Sequence, residues 1–249
     1  MATVILMDTN TLSTTSSLEK IGANLSVVVP CFNEAKSLEL ILRKVRNELP
    51  CSEIVVVDDG STDGCGEISE GLRRSLQLVV IHQENAGKGV AISAGLHRVT
   101  RDWVVIQDAD LEYEPNDILS MLQVLIDHPQ VQAVYGTRYG SKGRADGGAI
   151  FNYWGVRLFS WLLRMRFGVR VSDPHTCYKL IRTNLLREFD LSLKGFEFCT
   201  EVTCKLLRRG VSIVEVPIRY TPRNVAQGKK IGWRDFITTG LAYMRFCFR

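Results

Sequence analysis

No stretch of this 249-residue chain approaches the ~18 consecutive apolar residues of a membrane-crossing helix. Its first residues also lack the basic-then-apolar run that directs secretion. Such a chain is expected in the cytoplasm or peripherally on the cytoplasmic face of a membrane. Histidine is scarce, at 4 residues, and the 7 cysteines include no pair at Cys-x-x-Cys spacing. That excludes zinc and thiol-redox motifs of this type, and an odd, scattered set of thiols points to a reducing compartment with cysteines buried as small apolar residues. Charge of one sign is lacking too. With 31 Lys+Arg against 27 Asp+Glu the net charge is +4, which suits an anionic ligand or lipid surface but falls short of a nucleic-acid-binding balance. A hydrophobic content of 45% with 23% charged residues is that of a globular protein.

Residues 1–23 crowd Thr9, Thr11, Ser13, Thr14, Thr15, Ser16 and Ser17 together, which reads as a flexible polar leader. From residue 24 to 249 a single α/β domain is expected. Short β-branched runs at 25–29, 53–57, 78–81 and 103–106 are nearly continuous in apolar character, as strands buried on both faces are. Segments with helical spacing separate them, carrying Leu38, Ile41, Leu42 and Val45, then Ile68, Leu72 and Leu76, then Ala91, Ala94, Gly95 and Val99. The alternation predicts a mostly parallel, Rossmann-like sheet flanked by helices. A fifth strand at 131–135 closes a first half, 24–136. A Gly-rich charged loop at 140–148 opens a second half, 137–249, with helices at 150–167 and 196–209, a strand at 211–216 and a terminal helix from about Trp233.

Ligands of open α/β sheets bind at the carboxyl ends of the strands, and polar residues collect there. Asp108, Asp110 and Glu112 directly follow the fourth strand. If that segment is extended, their carboxylates emerge on one side, where repulsion is costly without a cation between them. Oxygen-only ligands suit Mg2+ or Mn2+, which in turn favour a diphosphate as the remaining ligand. Pro30-Cys31-Phe32-Asn33-Glu34 and Asp58-Asp59-Gly60-Ser61 end on the same edge, able to meet ribose hydroxyls and a base N–H. Asn33 and Ser61 can equally cap the next helices. Asn85-Ala86-Gly87-Lys88-Gly89 opens a helix and offers backbone N–H groups and an ammonium to an anion, or is simply a tight turn.

Taken in order, Val27-Val28-Val29-Pro30-Cys31-Phe32-Asn33-Glu34, Val55-Val56-Val57-Asp58-Asp59-Gly60-Ser61-Thr62-Asp63, Asn85-x-Gly87-Lys88-Gly89 and Asp108-Ala109-Asp110-Leu111-Glu112 resemble the successive motifs of family 2 glycosyltransferases with the GT-A fold. The resemblance runs from Leu25 to about Trp233 and is nearest to the polyprenyl- and dolichol-phosphate mannose or glucose synthases. It implies a metal-dependent, inverting transfer of a sugar from a GDP- or UDP-sugar to a polyprenyl phosphate, with Asp108, Asp110 and Glu112 on the metal. It further implies that Pro30, Phe32, Glu34, Val57 and Asp59 line the nucleoside pocket. Lys88 and Ala109 are grouped with these donor-site residues, and Arg138, Arg223 and Lys229 are implied to meet the phosphates. Glu112 stands where that group often has glutamine, and Phe32 where it commonly has tyrosine.

The acceptor is open to two readings. A lipid phosphate has a second pKa of about 6 and needs no base, whereas a sugar hydroxyl needs one. Asp173 is the candidate base for that case, or else a turn residue, and His175 reads as structural. A third reading, a non-catalytic protein binding nucleotide-sugars, would not need the acidic and basic residues at the strand ends. Phe151, Trp154, Arg157, Phe159, Trp161, Leu162, Arg164, Arg166 and Phe167, with Tyr243, Phe246 and Phe248, combine apolar bodies with cationic tips. They suit peripheral contact with a membrane, a homodimer, or a packed core.

Overall fold

The computed structural model describes residues 3–6, 15–139, 150–192, 194–195, 197–223 and 233–248. The apolar runs form strands β1 (Val4–Leu6), β2 (Leu25–Cys31), β3 (Glu53–Asp58), β4 (Leu78–His82), β5 (Trp103–Ile106), β6 (Ala133–Thr137), β7 (Lys179–Arg182) and β8 (Ile213–Pro217). They make one eight-stranded sheet in the order β1-β8-β6-β7-β5-β2-β3-β4. All pairings are parallel except those of β7, which is antiparallel to β5 and β6. The expected mostly parallel α/β sheet is therefore present.

Alternate residues of each strand feed opposite cores, which is why both strand faces read as apolar. Val27, Val29, Ile54 and Val56 pack with α2 (Ala35–Glu48), α3 (Cys65–Leu72) and α5 (Asp117–Asp127). Val28, Val55 and Val57 pack with α4 (Lys88–Arg98) on the other face, where α6 (Ile150–Phe167), α7 (Thr183–Arg187), α8 (Phe198–Arg208) and α9 (Trp233–Cys247) also lie.

Two features depart from the sequence reading. The stretch expected to be a flexible leader contains packed elements: β1 pairs in parallel with β8, and helix α1 (Thr15–Ala23) places Leu18 and Ile21 against the core. Three apolar residues are too few to show a period, so their strand depends on an edge supplied by β8. Strand β7 was also missed, because Lys179 and Arg182 break the apolar pattern. Lys179 is nevertheless buried, with its ammonium donating to the carbonyls of Pro174 and Thr176 and lying 4.5 Å from the Tyr135 ring centroid. Those acceptors offset the cost of burying its charge.

Helix α4 approaches β2 closely at Gly95, where an added Cβ would lie 2.5 Å from Val28 Cγ1 and 3.3 Å from Val57 Cγ2. Alanine would gain ~1 kcal/mol of helix propensity, whereas forcing a methyl into a packed core costs ~1–3 kcal/mol. Overpacking against two β-branched side chains wins. Gly95→Ala is expected to destabilise by about 2 kcal/mol, read as a lower denaturant midpoint at unchanged slope.

Candidate active site

The carboxyl ends of β2, β3 and β5 converge, and cross-strand hydrogen bonds join the first two. Asn33, at φ 52°, donates its backbone N–H to Ser61 Oγ at 3.0 Å and accepts the Thr62 N–H on Oδ1 at 2.9 Å. Asp63 Oδ2 accepts the Ala35 N–H at 2.8 Å. Asn33 and Ser61 therefore tie two loops together and cap neither α2 nor α3, whose N-cap residues are Glu34 and Gly64.

Asp59 is 3% exposed and also faces its neighbours. Its Oδ1 accepts from Gln83 Nε2 at 2.6 Å and the Ala86 N–H at 3.0 Å, and its Oδ2 accepts from the Gly87 N–H at 2.9 Å. The carboxylate thus shapes the turn that opens α4. Gly87 has φ 98°, and a Cβ there would come within 2.6 Å of the Lys194 carbonyl oxygen, so the turn needs glycine. The Val57 side chain is fully buried against α4. Pro30 is buried, while the Phe32 ring is 37% exposed at the edge.

Past β5 the chain does not continue as the extended segment expected from the alternation of Asp108, Asp110 and Glu112. It turns at Ala109 and Asp110, and Leu111 takes φ 62°. The three carboxylates each meet a donor, Asp110 and Glu112 sharing Arg223. Asp108 Oδ1 meets Lys88 Nζ at 2.6 Å, and Asp110 Oδ2 meets Arg223 Nη2 at 3.0 Å. Glu112 accepts the Tyr220 hydroxyl at 2.8 Å and the Arg223 backbone N–H at 2.9 Å. Among the described residues no group of three or more His, Cys, Asp and Glu is gathered as a set of metal ligands.

Electrostatics still mark the spot. Burial, then the neighbouring Asp108 and Glu112 carboxylates, push Asp110 up to about 7 against the pull of Lys88 and Arg223. Negative charge is thus in excess even with two cations present, and the donors are all oxygens. Both properties fit Mg2+ or Mn2+. Burial alone would lower the Lys88 ammonium, but Asp108 raises it well above its ordinary value. Arg223 also forks onto Glu34, with Nη1 at 2.8 Å and Nη2 at 3.1 Å from its two oxygens. Its buried Nε has no hydrogen-bond partner among the described residues, Glu112 Oε1 being 3.6 Å away. That leaves a cationic donor at the centre of the cluster without an acceptor.

Asp173, the candidate base for a hydroxyl acceptor, is committed to Arg138. It is 0% exposed, and its oxygens accept from Arg138 Nε at 2.7 Å, Nη2 at 2.8 Å and backbone N–H at 3.1 Å. Burial would raise its pKa, but the Arg138 guanidinium holds it below the ordinary carboxylate range. The guanidinium lies 5.0 Å from the Tyr220 ring centroid, whose hydroxyl reaches Glu112. His175 is structural as expected, packed against the stacked Phe159 and Tyr243 rings and depressed to about 3, first by burial and then by Lys179. Lys229 lies outside the described residues.

Sequence reading missed Glu215, which accepts the N–H groups of Ser172 and Asp173 and so seats the Asp173 turn. It also missed Tyr113, bridged to Tyr220 across the site. An acidic residue inside the apolar strand β8 was the available signal for Glu215.

Comparison with known proteins agrees with this geometry. The glycosyl transferase family 2 model matches residues 26–190, which carry the ends of β2, β3 and β5. The chain is 32% identical to a polyprenol monophosphomannose synthase of Mycolicibacterium smegmatis, covering 83% of this chain and 80% of that protein. It is 31% identical to an undecaprenyl-phosphate mannosyltransferase of Micrococcus luteus, covering 82% and 86%. In fold it resembles glucosyl-3-phosphoglycerate synthase of Mycobacterium tuberculosis, solved with Mn2+, UDP and product, with a TM-score of 0.75 at 18% identity over 98% of this chain and 88% of that one. With the family model spanning most of the chain and two mannosyl-transferring relatives matching along four-fifths of it, the protein belongs to glycosyl transferase family 2, has the GT-A fold, and is a hexosyltransferase.

Proposed function

We propose that the enzyme transfers a mannosyl group, with inversion, from a nucleotide-diphospho-sugar to a polyprenyl phosphate at a membrane surface. The observation that carries this reading is the cluster of Lys88 and Arg223 on the carboxylates of Asp108, Asp110 and Glu34 at the carboxyl edge of the sheet. The two mannosyl-transferring relatives, named for polyprenol and undecaprenyl-phosphate substrates, support the donor sugar and the acceptor class.

The ends of β2 and β3 receive the nucleoside, with the Phe32 ring against the base and Glu34 beside the ribose. Asp59 acts by holding the turn before Lys88. Asp108, Asp110 and Glu112 would hold Mg2+ or Mn2+, which would supply positive charge to the departing diphosphate. Arg223 and Lys88 give up part of their carboxylate contacts to that diphosphate, and the unmatched Arg223 Nε gains an acceptor. Lys229 follows Arg223 closely in sequence and is assigned to the same phosphates. Arg138, held by Asp173 through Nε and Nη2, presents its remaining N–H donors to the acceptor phosphate. With Asp173 committed to Arg138, a hydroxyl acceptor would lack the base singled out for it, whereas a phosphate dianion attacks unaided.

The membrane face differs from the residues first considered. Phe159, Tyr243 and Phe246 are buried, Phe159 and Tyr243 stacking at 4.5 Å. The side chains of Phe151 and Trp154 lie outside the described residues. Trp161 and Phe248 of that set are exposed, joined by Leu158 and Met165 on α6 and Ile237, Leu241 and Met244 on α9. Arg157, Arg164 and Arg166 stand exposed on α6, a helix without an acidic residue. No helix among the described residues is long and apolar enough to cross a membrane. An apolar stripe edged by arginines fits the interface of an anionic bilayer.

Incubation with guanosine- and uridine-linked sugars, a short polyprenyl phosphate and Mn2+ or Mg2+ is expected to give a mannosylated lipid detectable by mass spectrometry. Absence of glycolipid across the whole panel would overturn the acceptor assignment. Trp161→Glu combined with Leu241→Glu should weaken binding to phosphatidylglycerol vesicles by on the order of a hundredfold, as burial of each such side chain is worth ~1.5–3 kcal/mol. A doubly substituted protein that still sediments with vesicles, or that merely changes from dimer to monomer, would assign this face otherwise.

A further inference from the structure

Six of the seven cysteines fall into three neighbouring pairs: Cys31 with Cys65, Cys177 with Cys199, and Cys204 with Cys247. Five of these six are buried, and only Cys177 is partly exposed. Cys177 is also the thiol that reaches the candidate active site. Its Sγ accepts a hydrogen bond from Lys88 Nζ at 3.2 Å, and the same ammonium is 2.6 Å from Asp108 Oδ1. Cys199 approaches from the first turn of α8, with its Sγ 3.6 Å from the Thr176 carbonyl oxygen. The two cysteines thus belong to separate elements, one before β7 and one opening α8, and meet beside the proposed diphosphate-binding lysine.

We propose that Cys177 and Cys199 are a reversible oxidation site, closed by a hydroperoxide, that slows the transferase. Both S–H bonds and the peroxide O–O bond break, one S–S bond forms, and with hydrogen peroxide two waters leave. A disulfide has S–S ~2.05 Å, and Cys199 Sγ already lies 3.6 Å from the carbonyl oxygen of Thr176, the residue before Cys177. Closure ties the segment before β7 to α8 and replaces the acceptor of the Lys88 hydrogen bond with a weak one. Lys88, already 2.6 Å from Asp108 Oδ1, is then held there more firmly and is less available to the donor. The other two pairs are enclosed in the cores, where peroxide has no comparable approach.

The test is peroxide treatment of the intact protein, alkylation of remaining thiols, and peptide mass mapping without reduction. A Cys177–Cys199 crosslink is expected, together with an about tenfold loss of transfer rate, the size of one hydrogen bond to a charged group. Dithiothreitol should restore the rate. Cys199→Ala should keep the basal rate and lose peroxide sensitivity. The crosslink is read on wild-type protein without substrate, so it holds or fails separately from the donor and acceptor assignment and does not depend on the variant folding. Inhibition that maps to Cys51 or to another pair, or a Cys177–Cys199 bond that leaves the rate unchanged, would overturn the proposal.

Discussion

Asp110→Asn should lower the transfer rate by about a thousandfold, or about 4 kcal/mol of barrier, while leaving the melting temperature within a few degrees of wild type. The two effects separate because the charge of Asp110 is a burden in the folded protein: burial and the flanking Asp108 and Glu112 already push it up to about 7. An amide relieves that repulsion. It sacrifices one of the two donors Asp110 now accepts, the Glu112 N–H at 3.1 Å or Arg223 Nη2 at 3.0 Å, a loss of ~1 kcal/mol. Charge retained at a stability cost is common where function needs it. Initial rates across a Mn2+ titration, beside thermal melts, check both halves. A variant that transfers sugar at near wild-type rate would remove Asp110 from the proposed metal set.

Asp173→Ala is expected to destabilise the protein by ~3–5 kcal/mol, because it leaves the Arg138 guanidinium buried without its partner. Arg138→Leu with Asp173→Leu should recover most of that loss but not activity, since Arg138 is proposed to meet the acceptor phosphate. A base role would give a folded, inactive single variant instead, so denaturant unfolding decides. The pH dependence has a definite sign. Arg138 depresses Asp173 in the folded protein, so its stabilisation is complete above the unfolded carboxylate value of ~3.9 and is lost as pH falls through the lower folded value. Between neutral pH and pH 5 the difference between wild type and Asp173→Ala should stay constant, and it should shrink only in stronger acid.

Much of the scaffold is legible locally. The runs at 25–29, 53–57, 78–81 and 103–106 all lie within strands, because a strand buried on both faces needs unbroken apolar residues whatever its partners. Helices α6, α8 and α9 fall at or within two residues of their expected starts, for the same reason of periodic burial. Strand β7 was hidden because its first residue, Lys179, is a charge that only tertiary acceptors make tolerable. Strand β1 was hidden because three residues carry too little pattern without the edge of β8. Val57 was assigned by its position in a motif, and Asp173 as the base a hydroxyl acceptor would need. Their surroundings, α4 for one and Arg138 for the other, come from chain segments that spacing does not reveal.

By itself, then, the sequence determined that short buried strands alternate with helices and that Asp59, Asp108, Asp110 and Glu112 stand at or just past strand ends, because hydrophobic period and strand termination act over a few residues. Only the tertiary structure decided which charges neutralise which. Arg223 reaches Asp110 across 113 positions and Glu34 across 189, Lys88 settles on Asp108, and Arg138 withdraws Asp173 from solvent. Ion pairing and burial depend on distance in space, and chain folding sets that distance independently of separation along the sequence.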